Sequence, residues 1–336
     1  LRTHTLVIGS GAGGAVVAHG LAMAGVDTVV VEEGGYFRGS DMTQRDDQML
    51  PALYRDRAQQ LSSDGMINVL QGSCFGGSTV VNTADCEPTP EPVYEHWRRR
   101  YGLDLDAREL ADAQSRVFEM LGVRPIDASQ VNRNNDIVLE GARKLGWRAG
   151  TFQNNRTHCI GSGYCLIGCA YDAKKGAHLN YLPRAVEAGA TIYTDVRVER
   201  IVVSEGGGFR ATGAVVARGP RTARLPFEVQ AERVVLAAGA VHSAAILDAS
   251  GFARGRPALA RNVSLQPQMS VAASMPETVV AWRGIPQSAF CSEFDDHTPE
   301  RGLGGFRFEA ISGGLSQVAA GLRGFGRAHK ETMLHA

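Results

Sequence analysis

Residues 5–33, TLVIGSGAGGAVVAHGLAMAGVDTVVVEE, carry the strongest fold signal in the sequence of 336 residues. A β-rich apolar run ending at Ile8 is followed by a glycine turn, an apolar segment that suits a helix and a second run of valines. Strand, turn, helix and strand within about 30 residues make up a βαβ unit. The unit predicts an α/β fold with a parallel sheet.

The turn of this unit has the spacing of a dinucleotide-binding fingerprint, because Gly9, Gly11 and Gly14 form G-x-G-x-x-G. The first glycine permits a tight turn, the second lets the backbone approach a pyrophosphate, and the third lets helix and strand pack closely. The helix N-terminus then faces the phosphate charge. An acidic residue about 20 positions later binds the ribose. Glu32, which ends the second strand, is the predicted partner rather than Glu33.

The composition excludes several other classes of protein. Hydrophobic residues make up 44% and charged residues 21%, and 35 basic residues balance 35 acidic ones. These values disfavour a disordered chain and a nucleic-acid-binding protein. No stretch approaches the run of about 18 apolar residues that a membrane-spanning helix needs. The sequence does not identify a compartment, with the cytoplasm slightly favoured.

Beyond the βαβ unit, the pattern predicts a helical insertion followed by a small antiparallel sheet. Asp106 and Glu109 form a capping box before one helix, and a second helix is predicted over 136–145 with Gly146 just past its end. From 191 to 230 the apolar period is two, which is typical of a β-meander. Further strands are predicted from short apolar runs at residues 234–236, 268–275 and 305–311.

Two later glycine clusters resemble those of one enzyme family. Residues 71–82, QGSCFGGSTVVN, match its motif G-G-S-[ST]-x-x-N, and residues 232–251, ERVVLAAGAVHSAAILDASG, match A-A-G-A-x-x-S-x-x-x-L-x-x-S-G. The sequence thus resembles the glucose-methanol-choline (GMC) family of FAD-dependent oxidoreductases. Within that family, its motifs are most similar to those of long-chain alcohol oxidases and sugar dehydrogenases.

This resemblance implies FAD as the cofactor and two domains. A Rossmann-like α/β FAD-binding domain with a β-meander is expected over 1–95 and 186–258. A discontinuous α+β substrate domain, incomplete at its C-terminus, is expected over 96–185 and 259–336. The implied cofactor contacts come from the glycine clusters, the second strand and the meander: Gly9, Gly11, Ala12, Gly13, Gly14, Glu32, Gly76, Gly77, Ser78, Asn82, Val198 and Gly239. From spacing alone, Val198 fits an ordinary strand position equally well.

The resemblance also implies a small-molecule alcohol as substrate, oxidised at its CH–OH group, with a hydride passing to the flavin as a base takes the hydroxyl proton. A hydrophobic primary alcohol or a sterol is favoured over a sugar, and oxygen, a quinone and a cytochrome all stay open as electron acceptor. The family's catalytic His lies near an H-P-x-G motif, and no His here precedes Pro. We therefore expect this sequence to be an N-terminal portion, with the catalytic residues beyond Ala336; His329 and His335 lack the motif.

Two alternatives to this function remain open. A nicotinamide-dependent dehydrogenase would use the same βαβ unit, but it would leave the cluster GGSTVVN unexplained. A noncatalytic flavin-binding or electron-transfer protein is the second alternative.

Cys159, Cys165 and Cys169 lie close together in a glycine-rich stretch with C-x5-C-x3-C spacing. By resemblance, some GMC sugar dehydrogenases hold a three-iron cluster with this spacing. Those relatives have Pro after the third Cys, where this sequence has Ala170, and alcohol-oxidase-like members share C-x-x-G-C without an established cluster. We therefore predict no iron–sulfur cluster. A local disulfide and three reduced structural thiols remain the alternatives.

Overall fold

The structure is a computed structural model that describes residues 1–216, 225–266, 268–296, 304–312, 318–319 and 321–334. His335 lies outside the described residues. The chain divides into two compact units, one formed by residues 1–81 and 176–271 and the other by residues 82–175 and 272–336.

Regular elements occur in both units. In the described residues the strands are β1 (Arg2–Ile8), β2 (Thr28–Val31), β3 (Asp85–Cys86), β4 (Arg124–Pro125), β5 (Ala149–Thr151), β6 (Gln153–Asn154), β7 (Thr191–Tyr193), β8 (Val196–Val203), β9 (Phe209–Val215), β10 (Leu225–Leu236), β11 (Ala289–Cys291) and β12 (Phe308–Glu309). The α-helices are α1 (Ala12–Met23), α2 (Asp46–Leu53), α3 (Glu91–Tyr101), α4 (Ala107–Leu121), α5 (Arg133–Leu145), α6 (Tyr181–Glu187), α7 (Gly239–Ala249) and α8 (Gly326–Leu334).

The first unit is built on a six-stranded sheet of order β7-β2-β1-β10-β9-β8. Strands β7, β2, β1 and β10 run parallel to one another. Strands β8, β9 and β10 form an antiparallel meander. The predicted α/β fold with a βαβ unit and a β-meander is therefore confirmed.

Strand β10 links the two halves of this sheet. Its first part pairs with β9, up to Ala231, and its last part pairs with β1, from Gln230 onward. The sequence pattern predicted a separate short strand over 234–236. The structure shows one continuous strand instead, because consecutive parts of the same strand find partners on opposite edges.

Small side chains let helix α1 pack closely on the sheet. Ala18 contacts Val7 and Val30 on one face of the sheet. Farther along α1, Ala22 packs against Ala185 of α6. The opposite face of the sheet carries a larger apolar core, which includes Leu6, Val31, Val198, Val229 and Ile246.

The second unit contains two three-stranded antiparallel sheets, β12-β11-β5 and β3-β6-β4, and helices α3, α4 and α5. The predicted capping box is confirmed, since Asp106 accepts a hydrogen bond from Arg108 N at 2.8 Å and its own N–H donates to Glu109 at 3.3 Å. Helix α5 begins at Arg133, three residues before the predicted start, because Asn132 caps it.

One predicted strand is wrong. Residues 268–275 form no regular element. Met269 is 94% exposed and Val271 is 89% exposed, and no strand of the described chain pairs with this segment. By contrast, Phe308 and Glu309 of the predicted strand 305–311 do pair with β11.

The boundaries between the two units lie directly after Val81, Lys175 and Val271. The sequence predicted them after residues 95, 185 and 258. Strand β3 pairs with β6, which brings the chain from Asn82 onward into the second unit. Ala177 N donates to Thr79 Oγ1 at 2.9 Å, which keeps the start of the returning segment in the first unit. The assignment of one unit to FAD and the other to substrate stays a prediction.

Among the residues that the structure describes, none of the helices combines the length and the apolar character needed to cross a bilayer.

A fully buried amide, Asn135, joins α5 to the segment that enters β11. Its Oδ1 accepts hydrogen bonds from Ser288 N at 2.8 Å and Ala289 N at 2.9 Å. Its Nδ2 donates to Asn132 Oδ1 at 2.8 Å. This side chain therefore satisfies two backbone N–H groups that water does not reach.

We predict that Asn135→Ala lowers the free energy of unfolding by about 2–6 kcal/mol, because it leaves two buried N–H groups without a partner and each costs about 1–3 kcal/mol. Urea denaturation of the two proteins measures the difference. Asn134→Ala on the same helix is the control, with an expected change within about 0.5 kcal/mol. Equal effects of the two substitutions would show that the Asn135 amide is not a structural anchor.

Candidate cofactor-binding site

Two glycines of the first turn are required by close packing. Gly9 has φ of +100°, and a Cβ atom there would lie 2.4 Å from the carbonyl oxygen of Ala237. A Cβ atom on Gly14 would lie 1.9 Å from the carbonyl oxygen of Gly9. These distances confirm the expected roles of Gly9 in a tight turn and of Gly14 in close packing of α1 on the sheet.

The other glycines of the turn face open space. A Cβ atom on Gly11 or Gly13 would meet nothing within 4 Å. Gly11 is the N-cap of α1, and no side chain caps the helix in the part of the chain that the structure describes. Ala12 and Gly13 are exposed. The N-terminus of α1, with its partial positive charge, is therefore accessible to an anionic group.

A buried carboxylate, Glu32, fastens this turn to the end of β2. Its Oε2 accepts hydrogen bonds from Ser10 N at 2.9 Å and Ser10 Oγ at 2.7 Å, and its Oε1 accepts one from Gly34 N at 2.8 Å. Burial raises the pKa of Glu32, and the hydrogen bonds from Gly34 and Ser10 act in the opposite direction. The Glu32 carboxylate therefore stabilises the glycine turn through hydrogen bonds within the protein itself.

Ser10 extends this network to the second glycine cluster. Its Oγ accepts a hydrogen bond from Gly76 N at 2.9 Å. Gly76 and Gly77 have φ of +97° and +55°, and a Cβ atom on Gly77 would lie 2.8 Å from Gly11 Cα. The backbones of the first two glycine clusters are therefore in direct contact. The fingerprint did not identify Ser10, because it occupies a variable position of G-x-G-x-x-G.

Ser78, which directly follows Gly77 in the second cluster, is exposed. Its Oγ accepts a hydrogen bond from Gly72 N at 2.9 Å, which closes the loop that carries the cluster. Its neighbour Thr79 donates to Gly76 O at 2.6 Å. Ser78 therefore has a structural partner and still lies at the surface next to Gly77.

The remaining predicted residues are more widely spread. Gly239 begins α7 with φ of +77°, two residues after Ala237, which contacts the first turn. Val198 is buried in the apolar core of the sheet. Asn82 belongs to the second unit, where its Oδ1 accepts a hydrogen bond from Ala84 N at 3.2 Å. The structure thus brings together the two glycine turns and Glu32, with Gly239 nearby.

Glu33 has a different role from Glu32. Its carboxylate pairs with Arg55 and, at 2.7 Å, with Arg197. Burial and the nearby charge of Arg55 lower the pKa of His242. The position of Glu33 agrees with the expectation that it points away from the ribose site, although nothing in the sequence pattern indicated its two arginine partners.

The three cysteines of the sequence motif line one small cavity in the second unit. All three are free thiols, and burial raises the pKa of Cys159. No group of three His, Cys, Asp or Glu side chains within the described ranges is arranged to hold a metal ion. The prediction that no iron–sulfur cluster is bound stays a prediction.

Asp85, also in the second unit, is a titratable group that the sequence analysis did not identify. Burial raises its pKa from 3.8 to about 7, and a bond from Thr83 and the charge of Arg156 only partly offset that effect. Its burial follows from the pairing of β3 with β6, which no local pattern reveals.

The sheet and the accessible helix N-terminus define an α/β dinucleotide-binding protein. A family model described as GMC oxidoreductase matches residues 3–268. The chain therefore belongs to the GMC oxidoreductase family, whose cofactor is FAD, as its motifs predicted.

Several curated proteins are similar to this chain. An uncharacterized GMC-type oxidoreductase of Mycobacterium tuberculosis is 39% identical over 302 residues, which cover 88% of this chain and 46% of that protein. Another, from Sinorhizobium fredii, is 26% identical and covers 94% of this chain and 61% of its own length. A long-chain-alcohol oxidase of Arabidopsis thaliana is 29% identical, with coverage of 80% and 36%. The chain thus spans about half the length of the first of these relatives, and less of the plant oxidase.

Two solved structures share the fold. A formate oxidase from Aspergillus oryzae matches with a TM-score of 0.51 and 14% identity, over 74% of this chain and 48% of that one. A pyridoxine 4-oxidase from Mesorbium loti matches with a TM-score of 0.50 and 19% identity, over 74% and 52%. At these identities the likeness shows the fold alone.

We predict that Ser10→Ala lowers the free energy of unfolding by about 1–3 kcal/mol, because Gly76 N and the Glu32 carboxylate both lose a buried hydrogen-bond partner. Urea denaturation measures the change. Ser63→Ala, at an exposed position of the same unit, is the control and should leave stability almost unchanged. A Ser10→Ala protein as stable as the control would refute the network.

We also predict that Asp85 makes stability depend on pH. Because the folded state binds this proton more tightly than the unfolded chain, stability falls as the pH rises from 3.8 to about 7. Asp85→Asn removes this dependence. In urea denaturation, the stability of the variant relative to the unaltered protein should therefore rise as the pH increases from 3.8 to about 7 and then stay constant.

Asp104→Asn, at an exposed position of the same unit, controls for a general change in net charge. A stability difference between the Asp85→Asn variant and the unaltered protein that stays constant with pH would contradict the prediction.

Proposed function

We propose that this chain forms the FAD-binding part of an enzyme that oxidises the CH–OH group of an alcohol. The observation that carries the proposal is the match to the GMC oxidoreductase family over residues 3–268, combined with the two touching glycine turns. When bound, FAD would supply the acceptor for the hydride that leaves the alcohol carbon.

The pyrophosphate of FAD would lie at the N-terminus of α1. Gly11 and Gly13 present backbone without side chains on that open side. The unpaired N–H groups and partial positive charge of a helix N-terminus stabilise a phosphate. Gly77, in contact with Gly11, would form the second wall of the same backbone cradle.

Glu32 would bind the adenosine ribose. A carboxylate offers about four acceptor positions, and Ser10 and Gly34 occupy three of them. The carboxylate therefore has capacity for one further hydrogen bond from a ribose hydroxyl. The residues proposed to contact FAD are Gly9, Gly11, Ala12, Gly13, Gly14, Glu32, Gly76, Gly77, Ser78, Asn82, Val198 and Gly239.

We propose a hydrophobic primary alcohol or a sterol as the substrate class. The names of several relatives support this proposal. Long-chain-alcohol oxidases of Arabidopsis thaliana are among them, and so is a cholesterol oxidase of Mycobacterium tuberculosis that is 25% identical over 220 residues. The base that accepts the hydroxyl proton is not assigned to any residue of this chain.

We predict that Gly11→Val abolishes FAD binding, because the new side chain occupies the open side of the turn where the pyrophosphate would lie. Flavin content, measured from the visible spectrum of the purified protein, should fall to background. Binding of NAD instead of FAD by the unaltered protein would favour a nicotinamide-dependent dehydrogenase.

Gly20→Val is the matched control. Gly20 also lies on α1, and a Cβ atom there likewise meets nothing within 4 Å. At both positions the added Cβ atom therefore meets no neighbouring atom of the protein. Stoichiometric FAD in a folded Gly11→Val protein, equal to that in the control, would overturn the assigned site. FAD binding without flavin reduction by any alcohol would favour the noncatalytic alternative.

A further inference from the structure

The carboxylate of Glu33 joins three segments of the first unit. Its Oε2 atom pairs with Arg55, and its Oε1 atom accepts hydrogen bonds from Arg197 Nε at 3.0 Å and Arg197 Nη2 at 2.7 Å. The side chains of Glu33 and Arg55 are 20% and 18% exposed. Partly buried ion pairs are screened by salt much less than pairs at the surface. One carboxylate therefore ties the chain after β2 to β8 and to the segment after α2.

Arg55 begins a loop, residues 55–71, which we call the strap. The base of the strap is narrow, because Arg55 N donates to Gln71 O at 2.9 Å. Beyond the base the strap forms a hairpin, in which Val69 N donates to Gln60 O at 2.8 Å. The ion pair with Glu33 therefore holds the strap at its base.

The base of the strap adjoins two of the three glycine clusters. A Cβ atom on Gly72, directly after the strap, would lie 2.6 Å from the carbonyl carbon of Gly77 in the second cluster. A Cβ atom on Gly239 in the third cluster would lie 3.4 Å from Gln71 Nε2. A displacement of the strap base would therefore disturb both clusters.

Three consecutive residues after Arg55 have a backbone conformation that L-amino acids disfavour. Asp56, Arg57 and Ala58 have φ of +48°, +58° and +62°, in the left-handed region. Such conformations persist only where the surrounding structure holds them. Asn68 Nδ2 donates to Ala58 O at 3.0 Å from within the strap, whereas Arg55 provides a tie to residues outside it. Without that tie, we expect the strained backbone to relax and the strap base to move.

We propose that Glu33 is a positioning residue for FAD, and that its ion pairs with Arg55 and Arg197 hold the base of the strap against the cofactor site. We call these three residues the clamp. This inference rests on the proposed function, in which FAD contacts the second and third glycine clusters. Loss of the clamp should leave the site assembled but shorten the time for which FAD stays bound.

The charges explain why Glu33 is the critical member of the clamp. Its two oxygens bind one guanidinium group each. Glu33→Gln would leave Arg55 and Arg197 facing each other without the anion between them, and like charges at close range repel. The substitution therefore releases the strap base from the end of β2 and also pushes it away from β8.

The first test measures how fast FAD leaves the full chain after loading. The loaded protein is diluted, and the FAD that remains bound is measured by absorbance after rapid gel filtration at successive times. Release from Glu33→Gln should be about tenfold faster than from the unaltered protein, because a hydrogen-bonded charge pair is lost. Glu205→Gln, at an exposed position of the same unit, is the matched control and should release FAD at the unaltered rate.

Further variants separate the clamp from general structural damage. Arg55→Gln should also speed release, and the double variant with Glu33→Gln should release FAD no faster than the faster single variant, because both substitutions remove the same contact. Arg55→Lys retains the charge and should release FAD more slowly than Arg55→Gln. Arg197→Gln, at the more exposed partner, takes the place of Glu33→Gln if that variant does not fold.

The second test observes the strap in protein without FAD. Trypsin cleaves after arginine, and Arg57 is an exposed residue of the strap. Cleavage after Arg57, followed by mass spectrometry of the fragments, should be about tenfold faster in Glu33→Gln than in Glu205→Gln, because a freed loop is a preferred site of proteolysis.

Three results would overturn the clamp and leave the proposed FAD site intact. These are equal release rates in Glu33→Gln and Glu205→Gln, faster cleavage of the strap with unchanged FAD release, and effects of Glu33→Gln and Arg55→Gln that multiply in the double variant. Failure of the unaltered protein to bind FAD is a different outcome, because it would overturn the proposed function and this inference together.

Discussion

The hydrogen bonds of one buried carboxylate, that of Glu32, hold together the backbone segments that form the candidate cofactor site. Glu32 is 6% exposed, and N–H and O–H donors from Ser10 and Gly34 stabilise its carboxylate. Ser10 in turn holds Gly76. The end of β2, the first glycine turn and the second glycine cluster are therefore fixed by one network.

Close packing around this network explains three of the glycines. A Cβ atom at Gly9 would overlap the backbone of Ala237, one at Gly14 would overlap the backbone of the same turn, and one at Gly77 would overlap Gly11 of the first turn. Glycine at these positions is a packing requirement and is independent of any ligand. Gly11 is different, because a side chain there would meet only open space. Packing within the protein does not require glycine there, whereas the pyrophosphate proposed to lie at the helix N-terminus would.

Local patterns in the sequence predicted the elements whose causes are local. The turn at Gly9 and the capping box at Asp106 each depend on residues within a few positions, and the structure has both. Such local patterns do not predict tertiary contacts between residues that are distant in the sequence. Ser10 gains its role from Gly76, and Asp85 is buried by a strand that lies far away in the chain.

The same reasoning accounts for the predicted strand that is wrong. Residues 268–275 have a strand-like composition, but a strand also needs a partner, and the described chain provides none. For the candidate cofactor site, the sequence predicted the glycine turn and the position of Glu32 directly after β2. Which oxygen of Glu32 binds which donor followed only from the fold.

The position of β10 in the sheet has a consequence for synthesis of the protein. Strand β1, at residues Arg2–Ile8, hydrogen-bonds along one edge to β10, at residues Leu225–Leu236. Ribosomes add about 5–20 residues per second, so β10 is synthesised roughly 10–45 seconds after β1. During this interval one edge of β1 is unpaired, and chaperone binding to the nascent chain is most valuable there.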